Sequence, residues 1–216
     1  FENLPSLPKG MMGYYGSSWA PNSHKLLVTL TSGQRPADIW MLDVDNEKVE
    51  RVTFTDLQGL NKEDLVEPQL CHFTSFDGLT VPYWLYKGSN SSHSKAVVIE
   101  VHGGPEGQER PTFSPMLQYL LSEGLTIVAP NVRGSVGYGK SYHHLDDIEK
   151  RLDSVHDAAC LAEHLVQTGI ADKDKIAIMG ASYGGYMTLS CVARYPDLWA
   201  AGVDSVGMSN LETFLE

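Results

Sequence analysis

The segment Ile176-Ala177-Ile178-Met179-Gly180-Ala181-Ser182-Tyr183-Gly184-Gly185 constrains the fold more than any other part of the chain. Its four apolar residues read as a buried strand, and the G-x-S-x-G that follows reads as a turn leading straight into a helix. In such a turn the backbone bends so sharply that the serine hydroxyl stands alone over a cleft. Only glycines beside it keep the neighbouring main chain from clashing. Ser182 is therefore a candidate nucleophile on a strand-turn-helix unit of an α/β sheet.

The sequence from Lys95 onward has the alternation that such a sheet requires. Residues 96–101, 125–129 and 175–179 are nearly continuous apolar runs, as expected of strands buried on both faces. Ile148, Leu152, Val155, Ala159, Ala162 and Val166 step by four and three and predict one face of a long helix. Pro115 to Leu121 predicts a second helix, and residues 200–206 a further strand after the elbow helix. Ligands of such a sheet sit beyond the carboxyl ends of its strands.

The first part of the chain has a different pattern. Residues 25–31, 38–44 and 49–54 are short β segments separated by turn residues, as in antiparallel neighbours. Together with the residues from Tyr14 they span about 42 positions, the length of one β-propeller blade or of a small β-meander. Residues 56–68 are polar, lack β periodicity and read as a connector. Asp77-Gly78 between the runs 69–74 and 80–86 predicts a hairpin. The expected division is thus 1–55, a linker over 56–68, and 69–216.

Composition excludes several function classes. With 16 basic and 27 acidic residues the net charge is −11, which argues against nucleic acid and anionic membrane surfaces as partners. There is no apolar run long enough to span a bilayer. Cys71, Cys160 and Cys191 are odd in number and lack metal-ligand spacing, so buried free thiols are expected. Neither a cofactor nor a metal is expected. Asn90-Ser91-Ser92 fits a glycosylation sequon but reads more simply as a solvated loop.

Two more loops follow sheet strands. His102-Gly103-Gly104-Pro105 can turn a backbone N–H toward the cleft, and with the N–H of Tyr183 would form a two-donor oxyanion hole. Asn131 to Gly139 has glycines spaced G-x-x-G-x-G, which is not a dinucleotide fingerprint, and its Arg133 reads as a buried ion-pair partner in preference to a substrate contact. His143, His144, Asp146 and Asp147 read as a solvated helix start, and His156 and His164 as surface or packing residues. Asp197 reads as a helix-exit turn, and Asp204 is a weak candidate acid because it has no histidine to orient. None of the eight histidines follows Ser182, although acid and base follow the serine in this strand-elbow arrangement.

Three motifs in order, His102 to Pro105, Asn131 to Gly139 and Gly180 to Met187, resemble the prolyl oligopeptidase family of serine peptidases, most closely its acylaminoacyl peptidase branch. The resemblance covers residues 70–216, with the preceding β segment similar to the end of the family's propeller. It implies the first part of an α/β-hydrolase sheet, preceded by roughly one propeller blade, in a cytosolic enzyme that acts on short or N-acylated peptides. Ser182 maps onto the nucleophile, and Tyr183 and Gly104 map onto the oxyanion donors. In some branches a tyrosine hydroxyl at the position of His102 serves as a donor instead. The family's aspartate and histidine would lie beyond Glu216 and its other blades before Phe1. An esterase-like hydrolase and a non-catalytic hydrolase-like module remain alternatives.

Overall fold

A computed structural model describes residues 6–88, 95–210 and 213. The sequon at Asn90 lies outside the described residues. Contacts divide the chain into two compact units, Phe1–Glu67 with Arg110–Gln118, and Pro68–Glu109 with Tyr119–Glu216.

The first unit contains a four-stranded antiparallel sheet in sequential order: β1 (Met11–Trp19), β2 (Lys25–Ser32), β3 (Arg35–Asp43) and β4 (Lys48–Arg51). Alternation on β2 places Val28 and Leu30 in its core, both 2% exposed. β1 has no such alternation and is broken by a register shift between Met12 and Ser17, so its strand character comes from pairing with β2. β4 ends at Arg51, short of the expected residue 54. Beyond it the Thr53 hydroxyl replaces a backbone acceptor, taking the Ile39 N–H at 2.8 Å. Asp38, almost fully buried, accepts hydrogen bonds from the Arg51 guanidinium, from Thr53 Oγ1 at 2.9 Å and from the Thr55 N–H at 2.9 Å. Burial alone would raise the Asp38 carboxyl, but the bonds from Thr55, Thr53 and Arg51 hold it below the ordinary range. Gln118 completes this unit, donating to the carbonyls of Gly33 (2.9 Å) and Val66 (3.0 Å) and accepting from the Val66 N–H (2.9 Å).

The second unit is built on a six-stranded mixed sheet in the order β10-β9-β7-β8-β6-β5. Its strands are β5 (Gln69–Thr74), β6 (Thr80–Lys87), β7 (Val97–Val101), β8 (Thr126–Pro130), β9 (Ile176–Ala181) and β10 (Ala201–Ser205). β5 and β6 form the predicted hairpin, β6 runs antiparallel to β8, and β8, β7, β9 and β10 are parallel. Among the described residues the α-helices are α1 (Pro115–Ser122), which begins in the first unit and ends in the second, and α2 (Lys140–His143), α3 (Arg151–Gln167) and α4 (Tyr183–Arg194) of the second unit. Among the described residues none is long and apolar enough to cross a membrane.

One face of this sheet, with Val97, Ile99, Val101, Val128, Ile176 and Ile178, packs into a core with α3 and α4 through Ala158, Leu161, Leu165, Met187 and Cys191. On the other face Ile127 and Ala129 are fully buried as well, which is why these strands read as unbroken apolar runs. β10 differs in that all five of its residues are exposed.

The helix expected from residue 148 starts later. Ile148 lies in a 3-10 turn with φ 52° and is 81% exposed, and Leu152 is also exposed. Two consecutive 3-10 turns precede α3 and break the periodicity there. Asp146, expected on a solvated helix start, is instead buried and bonded to Arg151 Nη1 at 2.5 Å.

Candidate active site

Ser182 sits between β9 and α4 with φ 58° and ψ −118°. This positive-φ conformation is one that a residue with a side chain adopts only when its surroundings hold it there. Three contacts do so. The Ser182 N–H donates to the Ser205 carbonyl at the end of β10 at 3.0 Å, and its carbonyl accepts from the Tyr186 N–H at 3.1 Å. Gly184 packs against the end of β7, where a Cβ would fall 2.1 Å from the Val101 carbonyl oxygen. The serine itself remains exposed.

The loop after β7 lies against this turn. A Cβ on Gly103 would be 3.7 Å from Ser182 Cβ and 3.3 Å from the Ala181 carbonyl oxygen. Gly104 follows with φ 143°, and a Cβ there would fall 2.6 Å from the backbone nitrogens of Glu106 and Gly107. The structure thus brings Ser182, Tyr183 and the Gly103-Gly104 loop together at the carboxyl ends of β7 and β9. Tyr183 opens α4, so its N–H is one of the first-turn donors without an intrahelical acceptor.

His102 is half-buried, and both of its ring nitrogens face protein atoms. Nδ1 is 2.8 Å from the Gly103 carbonyl oxygen and Nε2 is 2.9 Å from Ser135 Oγ. Burial lowers its pKa, opposed in part by the Gly103 carbonyl. Ser135 belongs to the glycine-rich loop after β8, which is held by buried Asn131 through the Glu109 N–H at 2.6 Å and Tyr138 at 2.9 Å. That loop therefore supports the His102 loop from behind.

Arg133 is a structural anchor. At 3% exposure it binds Asp157 through Nε (2.9 Å) and Nη2 (2.8 Å), and Asp77 through Nη1 (2.9 Å) and Nη2 (3.0 Å). Its guanidinium also lies over the Phe76 ring at 4.5 Å. Asp204 Oδ1 accepts from the Gly207 N–H at 2.9 Å and lies against Gly185, where a Cβ would fall 2.2 Å from it. Asp197 is exposed in a 3-10 turn. His156 stacks on Phe76 with ring centroids 4.1 Å apart, and His164 packs beside Phe73 and Tyr83.

The sequence reading missed the polar cluster that surrounds the Tyr183 hydroxyl. Arg151 Nη1 is 3.2 Å from it, Ser154 Oγ 3.3 Å and Asp146 Oδ2 3.5 Å. One signal was available, because a buried tyrosine needs a partner for its hydroxyl. Nothing in the spacing said which residues supply it.

Residues 111–216 match the Prolyl oligopeptidase family. The chain is 30% identical over 212 residues to dipeptidyl peptidase family member 6 of Caenorhabditis elegans, covering 88% of this chain and 28% of that protein. It is 40% identical over 122 residues to dipeptidyl aminopeptidase BIII of Pseudoxanthomonas mexicana, covering 55% and 17%. Among solved structures, the acylaminoacyl peptidase of Pyrococcus horikoshii aligns with a TM-score of 0.76 and 30% identity, over 94% of this chain and 32% of that one. The chain thus spans less than a third of the length of each of these relatives. The match over residues 111–216, the Ser182 elbow that lies within it and these relatives agree in one assignment: the chain belongs to the prolyl oligopeptidase family.

Proposed function

We propose that the chain is an internal segment of a serine peptidase that hydrolyses short or N-acylated peptides through an acyl-enzyme on Ser182. The observation that carries this reading is the positive-φ turn at Ser182 beside the Gly103-Gly104 loop. Ser182 Oγ attacks the scissile carbonyl while a general base takes its proton. The N–H groups of Tyr183 and Gly104 hold the resulting oxyanion. Collapse expels the amine, which receives the proton, and water then hydrolyses the ester to release the acid and free Ser182. The partner contacts of both His102 nitrogens favour Gly104 over His102 as the second donor.

The base and the acid are assigned to sequence beyond Glu216. This is supported by the absence of any histidine after Ser182 and by the small share of each relative that the chain spans. The exposure of every residue of β10 also suits a sheet that continues on that side. The four-stranded antiparallel unit is read as one propeller blade, and a cytosolic location is proposed with it. The name of the Pyrococcus horikoshii structure supports acylated peptides as substrates, and the names of the other two relatives support dipeptide release.

Assays of the full-length protein on acyl-peptide and dipeptidyl nitroanilides, with short esters in parallel, test this reading. Turnover of the amides should fall by on the order of 10⁶ in Ser182→Ala, and the isolated 216-residue chain should be nearly inactive. A strong preference for esters would support an esterase instead, and a full-length protein inert to every substrate would support a non-catalytic module.

A further inference from the structure

The hydroxyl of Tyr183 is held on the buried side of the elbow by residues from two other segments. The residue is 4% exposed and its ring lies 5.4 Å from the Arg151 guanidinium carbon. Arg151 Nη1 donates both to the phenol oxygen at 3.2 Å and to Asp146 Oδ2 at 2.5 Å. Ser154 Oγ spends its proton on the Arg151 carbonyl at 2.7 Å. The phenol proton is therefore left to point at Ser154 Oγ or Asp146 Oδ2, 3.3 Å and 3.5 Å away. Asp146 is itself fixed, because Gly134, at φ 92°, leaves room for its carboxylate where a Cβ would fall 2.3 Å from the carboxyl carbon.

Arg151 and Ser154 belong to the first turn of α3, and Asp146 to the earlier of the two 3-10 turns that precede it. A hydroxyl tied to both has little freedom to rotate. The backbone N–H of the same residue, at the first position of α4, is a first-turn donor without an intrahelical acceptor. An oxyanion donor works only when aimed where the charge develops, and misplacement by 1 Å can cost on the order of a hundredfold in rate.

We propose that Asp146, Arg151 and the Tyr183 hydroxyl are positioning residues: they lock the first turn of α4 and so fix the direction of the Tyr183 N–H toward the Ser182 acyl adduct. This rests on the reading of Tyr183 as an oxyanion donor. The peptide between Ser182 and Tyr183 joins a residue at positive φ to the first residue of a helix, so small rotations of Tyr183 change the direction of its N–H. Gly184 against Val101 prevents the turn from sliding, and the phenol cluster prevents it from rolling.

The test uses Tyr183→Phe, which removes one oxygen and keeps the ring, with Arg151→Lys and Asp146→Asn beside it, all in the full-length protein. Three quantities are read: kcat, KM, and the affinity of a peptide aldehyde, whose hemiacetal on Ser182 carries the oxyanion. The expected result is a loss of roughly tenfold in both kcat and aldehyde affinity in Tyr183→Phe, with KM unchanged within about twofold. A merely structural cluster would lower the urea midpoint without this matched pair of losses. Unchanged kcat and aldehyde affinity in folded Tyr183→Phe overturn the proposal, even if the charged variants fail to fold. Ser182→Ala, assayed in parallel, separates the two levels. If it still turns over substrate, the nucleophile reading has failed and the inference falls with it. If it is inactive while Tyr183→Phe is unimpaired, only the inference has failed.

Discussion

Gly184 lies so close to Val101 that a Cβ on the glycine would sit 2.1 Å from the valine carbonyl oxygen. The carbonyl belongs to the main chain that ends β7 and the Cβ position is fixed by the main chain that opens α4, so neither can yield by a rotamer change. Gly184→Ala should force the helix off the strand and destabilise the protein by on the order of 3 kcal/mol. A urea titration followed by circular dichroism measures this. An unchanged midpoint would mean that the elbow is less tightly packed than described.

The Arg133 cluster joins the hairpin turn, the loop after β8 and helix α3. Asp157 is fully buried and receives two bonds from the guanidinium, one from the Arg133 N–H at 3.0 Å and one from Ser75 Oγ at 2.5 Å. Replacing Asp157 by Asn leaves a buried guanidinium short of charge, and about 3–5 kcal/mol of stability should be lost. Arg133→Lys in the parent protein should be destabilising as well, since an ammonium cannot span both carboxylates. Chemical unfolding of the two variants decides the point.

The same arginine predicts a pH dependence. Hydrogen bonds from Arg133 hold the Asp77 carboxyl below its ordinary 3.8, against a smaller opposing effect of burial. A lowered folded-state pKa contributes stability that is complete above 3.8 and is lost as the pH falls through the folded value. Asp77→Asn should therefore be less stable than the parent at neutral pH, with the difference closing only in the acid range below 3.8. Melting curves over this range test the sign. A difference that instead widened in acid would contradict it.

Cys191 is fully buried in the core between α3 and α4, and burial pushes its thiol up to about 12. The thiolate is the reactive form, so native protein at pH 8 should show no alkylation at Cys191, and unfolding in urea should expose it at once. Peptide mass mapping after iodoacetamide treatment measures both states. Rapid native labelling would show that the core opens there.

The central strands β7, β8 and β9 of the larger sheet were legible because they are almost wholly apolar and bounded by turn residues. β5 was read at its observed bounds, and the elbow strand and the hairpin lay where their motifs placed them. β1 was not legible. Its residues lack alternation, and its partner β2 supplies the order that its own sequence does not. The start of α3 was misread because Ile148 is apolar and in helical phase with Val155, yet a positive φ turns it out to solvent.

Legibility at the site followed the same rule. Ser182, Tyr183 and the Gly103-Gly104 loop were found together because close backbone packing demands glycine, which leaves a mark in sequence. Asp146 and Arg151 left none. They reach Tyr183 through side chains from a turn with no period, and a charged pair in such a stretch looks like a solvated surface. The association of Arg110–Gln118 with the first unit was hidden in the same way, since its hydrogen bonds run through the side chains of Gln118 and Thr31.

Covalent capture of Ser182 tests the central claim most directly. The full-length protein is treated with a peptidyl phosphonate and digested, and the adduct is mapped by mass spectrometry. The account predicts a single stoichiometric adduct on Ser182, absent from Ser182→Ala and accompanied by complete loss of peptide hydrolysis. An adduct on another residue, or full hydrolytic activity retained with Ser182 modified, would contradict it.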